Sequence, residues 1–294
     1  MVAIDRVDVF CTPLWGHVMP LFICATPIGN LADITFRVIE CLRDSDLILC
    51  EDTRHTRKLL SHYNIQSELI RFDQHRESES VVKVLGFLEG GKKIALVSDA
   101  GIPTLNDPGR KIIFSAREAG FEVTVLPGSS AVTTALAASG MTEERFTFVG
   151  FLPRRENERI KLWQETKSWS WPVVAFESSK RLPASLSSLS AFDPDRHVVV
   201  CRELTKLHED IRGGSAKELS CQFSVPPKGE VTLVIGGAKD ALSSQSDRVK
   251  ACTSVSELVS LGVGRRRAAK IISELTGIAL NDLYRDSLPE STNE

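Results

Sequence analysis

Short apolar runs alternating with amphipathic stretches dominate the first half of the chain. Leu21–Ala25, Leu47–Cys50, Glu68–Phe72, Ile94–Val97 and Val123–Leu126 have the length and residue types of strands. Between them, Ile34, Val38, Ile39 and Leu42 share one helical face, with Asp33 placed as a cap. Leu59 and Leu60 mark a second helix, Val81–Leu88 a third and Arg110–Ala119 a fourth, and a small-residue helix runs from Pro127–Ala131 to Gly140. Strands alternating with helices predict an α/β fold built on a parallel sheet.

After Gly140 the rhythm restarts. Phe146–Val149, Val173–Phe176, His197–Cys201 and Val231–Ile235 predict strands, and a charged helix is expected from about Glu156 to Lys167. The expected organisation is an N-terminal α/β domain over 19–140 and a second α/β domain over 141–240. A polar linker at 241–253 and a small helical region at 254–294 follow. Residues 1–18 carry Asp5, Asp8, Pro13 and Gly16, so a disordered extension is expected there, not a signal peptide.

Composition narrows the class. The 294 residues are 42% hydrophobic and 25% charged, ordinary for a globular protein, and the formal net charge is −2. Nucleic-acid contact must therefore come from local basic patches. No apolar run is long enough to span a membrane, and a cytoplasmic location is expected. Seven scattered cysteines (11, 24, 41, 50, 201, 221 and 252) contain no C-x-x-C pair, against both a disulfide framework and a zinc ribbon. The six histidines show no metal-ligand spacing, so no metal site is expected.

Candidate chemistry gathers at strand ends. Thr26–Asn30, Glu51–Arg54, Ser98–Gly109 and Pro127–Ala131 all follow predicted parallel strands, which places them on one sheet edge, where open α/β sheets bind ligands. They offer glycine and proline backbone, small hydroxyls and the carboxylate of Asp99, but no evident nucleophile. Such loops suit gripping a neutral or cationic small molecule. Gly86–Lys93 superficially fits a phosphate loop, but Lys93 stands where Ser or Thr would hold magnesium, and a strand follows. No G-x-G-x-x-G follows the first strand, and Gly128-Ser129-Ser130-Ala131 lacks the second glycine of a hydrolase elbow.

The second domain's strand ends are basic: Arg154 and Arg155, Lys180 and Arg181, Arg202 and Lys206. Clustered cations there suggest a polyanionic substrate, against the alternative of a solvated charged face. Trp163, Trp169 and Trp171 are candidates either for base stacking or for packing. Arg265–Lys270 in the tail leaves RNA contact and domain packing equally open.

Five ordered stretches carry a family resemblance: Ala25–Thr35, Glu51-Asp52-Thr53-Arg54, Ser98–Gly109, Pro127–Ala131 and Phe148–Pro153. Over about residues 20–238 the chain resembles the ribosomal RNA cytidine-2′-O-methyltransferases of the tetrapyrrole methylase superfamily. The resemblance implies two α/β domains with S-adenosylmethionine in the cleft between them, a homodimer, and no membrane. It also implies methylation of a cytidine ribose in the decoding region of small-subunit (16S) ribosomal RNA, within the 30S subunit. Carried onto this chain, the cofactor contacts are Pro27, Gly29, Asp99, Ala100, Gly101, Ile102, Ser130 and Ala131. Glu51, Asp52 and Glu177 are candidates for the general base, and Arg54, Arg154, Arg155, Arg181 and Arg202 for RNA contact. Ile102 and Asn106 stand where the family usually has Thr and Ser, and Ser179-Lys180 replace a Pro-His pair. A tetrapyrrole-type small-molecule methylase and a non-enzymatic ribosome-assembly factor are the alternatives.

Overall fold

The computed structural model describes residues 20–72, 77–104, 108–141, 144–238, 245–276 and 278–288. The expected extension at 1–18 lies outside them. The chain divides into two compact units, with the boundary between Thr134 and Ala135.

Unit 1 carries strands β1 (Leu21–Cys24), β2 (Leu47–Cys50), β3 (Glu68–Arg71), β4 (Ile94–Val97) and β5 (Val123–Leu126). All pair in parallel in the order β3-β2-β4-β1-β5. Helices α1 (Phe36–Asp44), α2 (Thr53–His62), α3 (Glu77–Glu89) and α4 (Arg110–Glu118) cross between them, and α5 (Ala131–Ser139) follows β5. Strand alternation sends successive side chains to opposite faces. Leu21, Ile23, Leu47, Leu49, Ile94 and Leu96 pack with Val84 and Leu88 of α3 and with Ile112 and Ala116 of α4. Phe22, Cys24, Ile48, Cys50, Ala95 and Val97 pack with Val38 and Leu42 of α1 and Leu60 of α2. Burial on both faces is why these strands are unbroken apolar runs.

Unit 2 opens with β6 (Thr147–Phe151), α6 (Glu156–Thr166), β7 (Val173–Ser178), α7 (Leu182–Phe192) and β8 (His197–Arg202). Then come β9 (Asp210–Ser215), α8 (Ala216–Gln222) and β10 (Glu230–Ile235). The sheet order is β6-β7-β10-β8-β9. Only the β6–β7 pair is parallel; β10 runs antiparallel to both β7 and β8, and β9 antiparallel to β8. β6, β7 and β8 consequently point the same way, and their carboxyl ends share one edge. One face of this sheet, including Val173, Ala175, Val200 and Leu233, packs against Trp163 of α6, Leu186 of α7 and Leu219 of α8.

Two features depart from the sequence reading. β9 was not expected, because Asp210–Ser215 lies at a sheet edge and carries Gly213 and Gly214 in place of an apolar run. The expected linker at 241–253 is largely helix: α9 runs Gln245–Ser260, followed by α10 (Arg265–Thr276) and α11 (Leu280–Asp286). Ala251 and Val255 of α9 join Ala268, Ala269, Ile272 and Leu283 in one small core, while Lys250, Thr253, Ser256 and Glu257 are exposed on its outer face. No helix among the described residues is long and apolar enough to cross a membrane.

Candidate active site

In unit 1, the loops after β1, β2, β4 and β5 are fastened to one another by backbone and side-chain ties. Thr26 and Gly101 exchange both main-chain hydrogen bonds, at 2.8 and 3.0 Å. The Thr26 hydroxyl donates to Ser98 O (3.0 Å), and the Ser98 hydroxyl donates to Gly101 O (3.1 Å). Gly101 adopts φ +81°, which favours glycine, and a Cβ there would lie 3.5 Å from Ile28 and 3.6 Å from Ser129 O. The β5 loop approaches the β1 loop as closely: a Cβ on Gly128 would stand 2.9 Å from the Ala25 Cβ. Ser129 adds a side-chain tie, its hydroxyl donating to Asp33 O at 3.1 Å.

Asp99 joins the fourth loop to this group. Its Oδ1 accepts the Asp52 N–H at 3.2 Å, and among the described residues its other oxygen has no hydrogen-bond donor. Asp52 in turn is the N-cap of α2, accepting the Arg54 N–H at 2.8 Å. That backbone hydrogen bond holds the Asp52 carboxyl below its usual range. Pro27, Gly101 and Ser130 are buried; Asp99, Ile102, Ala131, Glu51 and Asp52 are half-buried; Gly29 and Ala100 are exposed. Arg54 projects into solvent from the first turn of α2, its side chain 87% exposed. Leu105, Asn106 and Asp107 lie outside the described residues. Thr104, a β-branched residue at φ +80°, stands just before them in the left-handed region.

In unit 2, two arginines grip the loop after β6. Arg181 donates to Leu152 O (3.2 Å), and Arg159 donates to Pro153 O (3.2 Å) and Arg154 O (3.0 Å). Three consecutive carbonyls are thus held from behind, while the side chains of Arg154 and Arg155 face solvent. Arg155 is 84% exposed beside Glu158 at 3.7 Å, a pair too solvated to neutralise it. Each gripping arginine has its own carboxylate, Glu156 for Arg159 and Glu177 for Arg181. The Glu177 side chain is fully buried, and both its oxygens are engaged. Oε1 accepts from Ser178 N–H (2.6 Å) and Arg181 (2.6 Å), and Oε2 accepts from the Ser185 hydroxyl (2.5 Å).

The predicted RNA contacts therefore divide. Arg54, Arg154 and Arg155 are exposed to solvent, Arg54 lying 3.5 Å from Asp52 in a pair as solvated as that of Arg155 with Glu158. Arg181 is committed to Leu152 and Glu177, and Arg202 donates to Lys228 O (3.3 Å) and lies 3.7 Å from Asp210. The tryptophans sit elsewhere: Trp163 is buried, donating to Ser188 (3.1 Å). Trp169 and Trp171 stack on each other near the amino end of β6, where Trp171 donates to Thr147 (2.9 Å). Those two lie at the sheet edge opposite the basic loops. Arg159 was missed by sequence reasoning. Its signal was there: it shares the buried face of α6 with Trp163 and Thr166, at helical spacing, and a cation on such a stripe must be gripping something.

Residues 20–220 match the family of tetrapyrrole (corrin/porphyrin) methylases. The chain belongs to that family. Solved structures agree on the fold: a diphthine synthase superposes with TM-score 0.60 at 14% identity, covering 74% of this chain and 90% of that one. A cobalt precorrin-4 methyltransferase does so with TM-score 0.55 at 17% identity, covering 74% and 95%. In sequence, this methylase is 36% identical over 268 residues to a protein from Halalkalibacterium halodurans named ribosomal RNA small subunit methyltransferase I, covering 90% of this chain and 93% of that protein. Proteins of the same name from Escherichia coli O157:H7 (38% over 274 residues, 92% and 95% covered) and Thermotoga maritima (42% over 218 residues, 74% and 98% covered) align similarly. The chain is a methyltransferase of this family, and its methyl donor is S-adenosylmethionine. The unit 1 loops fit such a donor. Asp99 offers a carboxylate oxygen to a cationic or hydroxyl-bearing ligand, and exposed backbone at Gly29 and Ala100 allows close approach.

Proposed function

We propose that this methylase transfers a methyl group to the 2′-oxygen of a cytidine in the decoding region of small-subunit (16S) ribosomal RNA, acting as a homodimer on the 30S subunit. The observation that carries the reading is near full-length likeness to proteins named for that ribosomal subunit in several bacteria. The motif resemblance narrows it to the cytidine ribose. The solvent-exposed cations Arg54, Arg154 and Arg155 support a polyanionic substrate.

When bound, S-adenosylmethionine supplies a methyl carbon on a cationic sulfur that departs as a neutral thioether. The chain's own residues position and deprotonate. Asp99, with the backbone of Ala100, Gly101 and Ile102, holds the donor, and Pro27, Gly29, Ser130 and Ala131 shape its surroundings. Arg154 and Arg155 would hold phosphates of the substrate strand, and in-line approach of a ribose hydroxyl is what such positioning must achieve. The hydroxyl proton must pass to a base or to water. Glu177 is saturated by three donors, and Asp52 is spent on capping α2 with its basicity lowered. Glu51, half-buried at the end of β2, is the third candidate for the base.

Tritiated methyl transfer to 30S subunits and to free 16S RNA from a strain lacking this protein tests the reading, with mass spectrometry of the labelled nucleoside. Label in 2′-O-methylcytidine is expected. Label in another nucleoside or in a small tetrapyrrole, or none, would overturn it. Asp99→Ala is expected to abolish S-adenosylmethionine binding in calorimetry, and unchanged affinity would remove Asp99 from the donor site.

A further inference from the structure

The connection between β8 and β9 is more elaborate than joining two antiparallel strands requires. It consists of two consecutive turns sharing Lys206: Lys206 N–H donates to Glu203 O at 3.0 Å, and Glu209 N–H donates to Lys206 O at 3.1 Å. Glu203 and Thr205 both adopt left-handed backbone, at φ +53° and +67°. Thr205 occupies the third position of the first turn, which glycine or asparagine normally takes when φ is positive. A β-branched residue persists there only when its surroundings over-determine it.

The surroundings do so. Lys206 Nζ donates to both Glu203 and Glu230, each at 2.9 Å. Glu203 also accepts the Glu230 N–H at 2.9 Å, and Glu209 accepts the Thr205 N–H at 2.6 Å. Gly229, at φ +100°, leaves the space that the Glu203 side chain fills; a Cβ there would come within 2.5 Å of it. Leu204 is buried beneath the loop. What this clamp presents is Leu207, 93% exposed, with His208 exposed beside it.

The loop leaves the carboxyl end of β8, on the same edge of the unit 2 sheet as Arg154, Arg155 and Lys180. Three strand spacings, about 14 Å, separate β8 from β6. That is roughly the span of four stacked nucleotides of one strand. Charges around the tip nearly cancel: Arg202, Lys206 and Arg212 meet Glu203, Glu209, Asp210 and Glu230. The tip therefore has little to offer phosphates, whereas an aliphatic side chain and an imidazole suit the faces of bases.

We infer that the Glu203–Glu209 loop is a rigid finger that engages unpaired RNA bases through Leu207 and His208, while the β6 loop arginines hold the neighbouring backbone. The inference rests on the RNA reading given above and adds the element that contacts bases.

Leu207→Ser and His208→Ala test it in the full-length protein, with 30S subunits from a strain lacking it as substrate. Both side chains are exposed, so the melting temperature and S-adenosylmethionine affinity are expected to be unchanged. Methyl transfer at subsaturating subunits is expected to fall about tenfold or more for Leu207→Ser, in line with loss of one base contact. Leu207→Phe, which keeps an apolar side chain at the tip and presents a ring to a base, is expected to retain most of the rate. Wild-type transfer by Leu207→Ser overturns the finger while leaving the RNA reading intact. A change in sedimentation on Leu207→Ser would make Leu207 a subunit contact and overturn it as well. No transfer to RNA by the wild-type protein overturns both readings.

Discussion

Removing the Glu177 carboxylate separates a structural role from a chemical one. Its side chain is fully buried, and the Arg181 guanidinium it holds is only 25% exposed. Glu177→Ala leaves Ser178 N–H, the Ser185 hydroxyl and Arg181 without their acceptor. Breaking a buried ion pair by deleting one partner costs about 3–5 kcal/mol. Glu177→Gln is milder. Its oxygen can stay with Ser178 and Arg181, and its amide can donate to Ser185, whose hydroxyl turns to accept. Only the charge assistance is lost, about 1.5 kcal/mol. For a unit of this size each kcal/mol moves the melting temperature by about 2–4 °C. Thermal unfolding should therefore fall by roughly 6–20 °C for alanine and roughly 3–6 °C for glutamine. Glutamine should still methylate RNA at permissive temperature. An alanine variant that melts within about 2 °C of wild type yet transfers no methyl would refute the reasoning and restore Glu177 as the base.

Gly128→Ala should destabilise unit 1 by about 1–3 kcal/mol through the 2.9 Å clash with Ala25, and Ala25→Gly in the same chain should recover most of it by calorimetry. Arg154→Ala/Arg155→Ala should leave the melting temperature unchanged and lower the salt slope of RNA binding by about 1.4, two single-strand phosphate contacts' worth; an unchanged slope removes them from the phosphate path. Burial pushes the Cys201 thiol from 9.0 up to about 11, so the unfolded chain loses that proton first. Stability should then fall as pH rises from 9 toward 11, and Cys201→Ala should show a shallower decline in denaturant titrations across that window. Glu51→Gln should lower the rate at saturating substrate and abolish any acidic limb of its pH profile, with binding of both substrates retained; a wild-type rate would leave proton removal to water.

The parallel sheet was legible because burial on both faces leaves a run such as Leu47–Cys50 or Ile94–Val97 apolar at every position. The gathering of the strand-end loops was legible because Gly101 and Gly128 stand where one loop packs closely on another. β9 escaped because an exposed edge strand needs no apolar pattern, and Gly213 and Gly214 resemble a turn. α9 escaped because only one stripe of it is buried, with Ala251 and Val255 spaced among polar residues. The three candidate carboxylates were indistinguishable as letters. The fold gives two of them visible structural duties, Asp52 capping α2 through Arg54 N–H and Glu177 accepting from Ser178, Arg181 and Ser185. Strand order in unit 2 was invisible for the same reason, since no local pattern says that β10 inserts between β7 and β8.

That insertion orders events on the ribosome. In unit 1 the last strand made, β5, is added at an edge, so four of its five strands can pair before β5 emerges. In unit 2 the last strand made is the central one. Until Glu230–Ile235 has been synthesised, β6–β7 and β8–β9 are two separate pairs with unsatisfied inner edges. At about 5–20 residues per second, the hundred or so residues between β5 and the end of β10 take roughly 5–20 s. For that interval a finished unit 1 is tethered to a nascent unit 2 whose exposed strand edges invite chaperone capture or mispairing. A ribosome that stalls before residue 230 would strand the chain in that state, whatever the stability of the completed protein.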